Sequence, residues 1–135
     1  MKLAYLCMLV ACLLPIVCAG IAKSGSFGRP RSQGGYDNHD PRAWLARQQG
    51  HRARANAAQA NSFEALPVFI AAVLVAQLAG VSGLMVGALA LAFVLLRVLY
   101  IALYLSDRAA ARSVVWMLGM GVCIALFVAA LWQAP

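Results

Sequence analysis

Four stretches of this chain are too long and too apolar to fold in water. They cover residues 3–21, about 56–80, about 84–105 and about 114–132. Each approaches or exceeds the roughly 20 residues that cross a hydrocarbon core. In lipid only a helix of that length satisfies its own backbone N–H and C=O groups. The expected fold is therefore an all-α membrane protein, a four-transmembrane-helix bundle, forming one domain over residues 1–135. Composition agrees, with 64% hydrophobic residues and a mean hydropathy of +0.81. A soluble domain is nearer half apolar, and one this small buries too little surface to hide the surplus.

The connections carry the topology. Residues 22–55 form the one long polar loop, opening with the Gly-, Pro- and Ser-rich KSGSFGRPRSQGGYDNHDP. It ends with RAWLARQQGHRARAN, where Pro41 can start a helix, either an interfacial one or an extension of the second span. Residues 80–83 (GVSG) are a bare turn, and the third connection, near SDRAAAR, is short and basic. With four spans the first and third connections share a side. That side holds Lys23, Arg29, Arg31, Arg42, Arg47, Arg52, Arg54, Arg108 and Arg112, against Lys2 alone on the other. The excess places both basic loops in the cytoplasm and both termini outside. The same count argues against a cleaved signal peptide, because cleavage would leave a basic loop translocated. The formal net charge of +7 thus reads as topology and headgroup contact rather than nucleic-acid binding. Cys7, Cys12, Cys18 and Cys123 all lie in apolar runs at spacings that match no metal or redox motif.

The informative residues are those that cost free energy in a bilayer. Ionised side chains near a span centre are penalised by about 2.5–3.5 kcal/mol on insertion scales. Asn61 and Glu64 are three apart on the second span, with Arg54 two turns before Asn61 and Pro67 just after Glu64. Arg97, Tyr100 and Tyr104 form one polar stripe on the third span, followed by Arg108 and Arg112. Glu64 and Arg97 each lie ~12 Å from the basic end at 1.5 Å per residue. Opposite charges at one depth on antiparallel neighbours imply a buried ion pair or a shared polar pocket. Such a pair can hold helices together with no other role, and a pocket would suit a small anion.

These motifs resemble the MAPEG family, the membrane-associated proteins of eicosanoid and glutathione metabolism. NSFEALP matches the family's Asn-x-x-Glu-x-x-Pro signature, and Arg97, Tyr100, Tyr104, Arg112 and Ser113 are similar to its eicosanoid-synthase branches. The resemblance covers about residues 41–132, and the stretch from Asp40 to Pro67 looks most like bacterial members. It implies a homotrimer in a bacterial inner membrane, with glutathione as cofactor between protomers. On that reading Asn61, Glu64, Arg97, Tyr100, Tyr104 and Arg54 bind glutathione, and Arg112 with Ser113 lies at the reacting sulfur. A lipophilic small-molecule substrate would arrive from the lipid. The chain departs from the family at Ala57, where the mammalian enzymes carry an arginine one turn before the asparagine. A glutathione transferase or peroxidase is the leading expectation. A non-catalytic protein of the same fold and a small multidrug transporter are the alternatives. Gly83-x-x-x-Gly87 is a small-residue packing motif that could serve helix association.

Overall fold

The computed structural model describes residues 2–133. Helix α1 covers Lys2–Lys23, α2 Pro41–Ala46, α3 Gly50–Leu78, α4 Gly83–Leu105 and α5 Ala109–Gln133. Among the described residues there is no strand, and α1, α3, α4 and α5 are each long and apolar enough to cross a membrane. Helices α3 and α4 each pack on the other three long helices, which sets α1 and α5 on opposite flanks.

The bundle is held by seams of small residues. On α1 the buried positions are Ala4, Cys7, Ala11, Pro15, Cys18 and Ala22, spaced three or four apart. On α3 they include Ala55, Ala58, Ser62, Ala65, Ala72 and Ala76 on the same period. Lipid tails are as apolar as any side chain, so helices associate here through close van der Waals contact, which small residues allow. Bulk enters the core at Phe69 and Phe93, whose rings stack 4.0 Å apart at an interplanar angle of 6°. A Cβ on Gly87 would lie 3.4 Å from the Leu3 side chain. Gly87 is buried and faces Leu3 of α1, and that distance is ordinary van der Waals contact. The four cysteines are free; Cys7, Cys18 and Cys123 are buried as small hydrophobes.

Helix ends follow local chemistry. Gly80, at φ 82°, closes α3 in the left-handed region, with Val81 N–H donating to the Ala76 carbonyl. Ser82 then caps α4 by accepting from Met85 N–H at 3.3 Å. Asp40 caps α2 by accepting from Ala43 N–H at 3.2 Å, with Pro41 in the first turn. The helix of the second span begins at Gly50, ahead of its apolar part, because nothing from His51 to Asn56 breaks a helix once it protrudes from the hydrocarbon.

The polar connection is folded rather than extended. Tyr36 N–H donates to the Ser26 carbonyl at 3.1 Å, and Arg52 Nη2 donates to the Ser24 carbonyl at 2.9 Å. The rings of Phe27, Tyr36 and Trp44 follow one another at 5.5 and 5.2 Å, and Lys23 Nζ lies 4.6 Å from the Tyr36 centroid. Trp44 is buried there with Ser26.

Candidate functional site

Arg97 is the centre of the polar structure within the bundle. It sits midway between two turns of apolar α4 residues and is only 4% exposed. Its Nη1 donates to Asn61 Oδ1 at 3.1 Å and its Nη2 to Ser62 Oγ at 3.1 Å. Asn61 Nδ2 in turn donates to Glu64 Oε2 at 3.1 Å. Ser62 donates its own proton to the Ala58 carbonyl at 2.8 Å, which leaves its oxygen free to accept from the guanidinium. Of the two expectations, a direct Glu64–Arg97 ion pair or a shared polar pocket, the direct pair is replaced by a relay through Asn61. One carboxamide faces the cation with its oxygen and the carboxylate with its nitrogen. Among the described residues the ion pairs are Arg31–Asp37 and Arg54–Asp107. The physical reason is facing: Arg97 points into the bundle, whereas Glu64, three residues beyond Asn61, is turned to the exposed flank of α3.

A second arrangement runs along α4 toward the basic end. The Arg97 guanidinium lies over the Tyr100 ring at 4.2 Å, and that of Arg112 over the Tyr104 ring at 4.2 Å. The two rings meet edge to face at 5.6 Å. The order is cation, ring, ring, cation, and each ring offers its negative face to a guanidinium. This holds Arg112 by stacking and leaves its N–H donors available.

Asn61, Tyr100, Arg112, Ser113, Trp116 and Met117 line one open groove of about 390 Å³. That lies within the roughly 300–1,000 Å³ of small-molecule sites. One side is polar, with an amide, a phenol, a hydroxyl and a guanidinium. The other is the apolar flank of α5, where Trp116 and Met117 are exposed on the outside of the bundle. Ser113 Oγ donates to the Ala109 carbonyl at 3.1 Å, so toward a ligand it is an acceptor.

The structure therefore gathers four of the expected residues, Asn61, Tyr100, Arg112 and Ser113, on one groove. Arg97, Glu64 and Tyr104 stand directly behind or beside it through the contacts above. Arg54 is elsewhere: its Nε donates to the Leu105 carbonyl at 3.1 Å and its Nη1 lies 3.8 Å from Asp107 Oδ2. There it holds the α4–α5 turn, in which Asp107 takes φ 60°. Sequence reasoning passed over Ser62, Trp116 and Met117. Ser62 is the one polar member of the α3 small-residue seam. Trp116 and Met117 lie four residues after Arg112 and Ser113, one helical turn along the same face.

The model of the MAPEG family matches residues 3–132, from the first helix to the last turn of α5. Comparison with curated proteins and with solved structures gives no match.

Proposed function

This chain belongs to the MAPEG family, and from that premise we propose that it binds glutathione and uses it as a transferase or peroxidase on lipophilic substrates. Family and fold together make it an integral membrane protein of the glutathione- and eicosanoid-metabolism type. The observation that carries the finer reading is the two-sided groove. A guanidinium, a phenol and an amide face an apolar wall of Trp116 and Met117. That donor set fits a small anionic peptide beside a greasy partner.

Arg112 and Tyr100 would meet the charged and thiol-bearing parts of glutathione, and Asn61 its amides. Glutathione brings the nucleophilic sulfur. A guanidinium beside a thiol favours the thiolate and so raises its reactivity. Glu64 supports assembly of several copies, in the family as a homotrimer. It is exposed at a depth where water is scarce, and a second protomer would cover it. The inner-membrane location follows from the resemblance to bacterial members, and the placing of both termini outside follows from the charge distribution.

One observation favours the alternative of a retained fold without the reaction. Ala57 stands in place of the family arginine, and Arg54 is committed to the α4–α5 turn instead of replacing it. Calorimetric titration of the detergent-solubilised protein with glutathione decides between them. Saturable binding that is lost in Arg97→Ala supports the proposal, and silence at millimolar glutathione leaves the non-catalytic reading.

A further inference from the structure

The basic end of the molecule contains more charge than its own contacts use. Three of the four acidic residues are there, Asp37, Asp40 and Asp107. All three are engaged: Asp37 with Arg31 and the His39 N–H, Asp40 as the α2 cap, Asp107 with Arg54. Several cations are engaged as well. Lys23 lies over Tyr36, Arg52 donates to the Ser24 carbonyl, and Arg112 lies over Tyr104. Arg29, Arg42 and Arg47 on the long connection, and Arg108 on the α4–α5 turn, are different. They are exposed and, among the described residues, their side chains have no ion pair and no hydrogen bond.

The three arginines of the long connection do not hang on a loose linker. The ladder Phe27–Tyr36–Trp44 ties the stretch carrying Arg29 to the helix carrying Arg42, with Arg47 at that helix's end. A tight turn closes between them, where Gln33 and Gly35 N–H both donate to the Pro30 carbonyl at 2.9 and 3.0 Å. Gly35 is packed so closely that a Cβ would fall 1.9 Å from the Arg29 carbonyl oxygen. Phe27, at the edge of this unit, is 65% exposed despite being aromatic. The unit begins just past the last residue of α1, so it lies where a span leaves the hydrocarbon for the headgroups. An exposed aromatic two residues from the unpaired Arg29, in a unit that also carries Arg42 and Arg47, offers contacts for the two parts of a lipid, chain and phosphate.

We propose that the folded segment 24–49 is a preformed docking platform for anionic phospholipid headgroups of the adjoining leaflet. Arg29, Arg42 and Arg47 receive the phosphates, and Phe27 anchors the platform among the upper acyl carbons. The fold of the segment, and not its net charge alone, sets the preference, because the aromatic ladder and the Gly35 turn hold the cations in register. This surface is independent of the groove and of any reaction there.

The test is native mass spectrometry of the full chain from micelles holding equal phosphatidylglycerol and phosphatidylcholine. The wild-type protein should retain phosphatidylglycerol selectively. Each single Arg→Gln substitution should lower its apparent affinity about fivefold, and the triple variant roughly a hundredfold. Gly35→Ala keeps every charge and should also lose most of the selectivity. Thermal unfolding of the exposed-arginine triple variant should match wild type and so report an intact bundle. Undiminished phosphatidylglycerol retention by the triple variant overturns the proposal. So does full selectivity in Gly35→Ala, which would reduce the effect to diffuse charge. Displacement of the lipid by an equal concentration of inorganic phosphate would mark a free-phosphate site and overturn it too.

Discussion

Arg97 donates to the Asn61 side-chain oxygen at 3.1 Å, and this single contact joins the buried cation of α4 to the exposed carboxylate of α3. Asn61 completes the link by donating to Glu64 at 3.1 Å. The amide is therefore an oriented dipole between two charges that do not touch. A carboxylate in its place would neutralise Arg97 directly and leave Glu64 facing a like charge.

The first prediction concerns that amide. Asn61→Leu removes an acceptor from a buried guanidinium, and an unsatisfied buried polar group costs about 1–3 kcal/mol. The thermal midpoint in detergent should fall, and glutathione binding should fall with it. Adding Arg97→Met to Asn61→Leu removes the charge together with its need for partners, so stability should return toward wild type while binding stays lost. Glutathione binding that survives in the double variant would detach the relay from the site.

Arg54 gives a second. Its place at the α4–α5 turn makes it a tie rather than a ligand. The ion pair with Asp107 is partly solvated, so Arg54→Gln should cost no more than about 1 kcal/mol of stability. Glutathione affinity should barely change. A loss in Arg54→Gln as large as in Arg97→Ala would return Arg54 to the binding residues, where the family resemblance puts it.

Trp116 provides a third. With Met117 it forms the apolar side of the groove, and it neither accepts nor donates any of the relay's hydrogen bonds. Discrimination from one apolar contact amounts to about 1–3 kcal/mol, so Trp116→Ala should weaken use of a lipophilic electrophile tenfold or more. Glutathione affinity should hold. Equal losses for both substrates would mean that the wall is structural.

The folded loop makes a fourth, in acid. The Asp37 carboxyl is held below the usual carboxylate range by the backbone N–H of His39 and then by Arg31 nearby. A group with a lowered folded value stabilises the fold above its unfolded value, near 3.9. That contribution is lost only as pH falls through the lower folded value. The Tyr36–Trp44 contact should therefore persist to pH 4 or somewhat below and open in stronger acid. Trp44 fluorescence, with Trp116 and Trp132 replaced by Phe, reports it. Asp37→Asn should abolish this acid step.

How much of this was legible beforehand follows from the physics of each part. The four spans were readable because lipid allows one kind of secondary structure and imposes one composition. Arg97, Asn61 and Glu64 were readable because polar residues in apolar runs are costly. Their partners were not, because depth gives the level of a residue on a helix but not the direction in which it faces. Arg97 turns inward and Glu64 outward, and only packing decides that. The loop's glycines and prolines predict irregular chain. Its aromatic residues, Phe27, Tyr36 and Trp44, are spaced eight or more apart, so no local periodicity announced that they meet.

Glu64 supports the last prediction. On one protomer it is exposed on the flank of α3, ~12 Å from the basic end at 1.5 Å per residue. Two environments are physically distinct. If that flank faced lipid, Glu64→Leu would remove a charge penalised by about 2.5–3.5 kcal/mol and the protein would become more stable. If a second protomer covers it, the carboxylate has partners there, and Glu64→Leu breaks the assembly. The relay favours the second case, because Asn61 spends its donor on this carboxylate and fixes its direction. Light scattering in detergent should show the wild-type protein as a multiple of its protomer mass and Glu64→Leu shifted toward the single chain. A Glu64→Leu protein of unchanged mass and higher thermal midpoint would place this face in lipid and remove the case for a site between protomers.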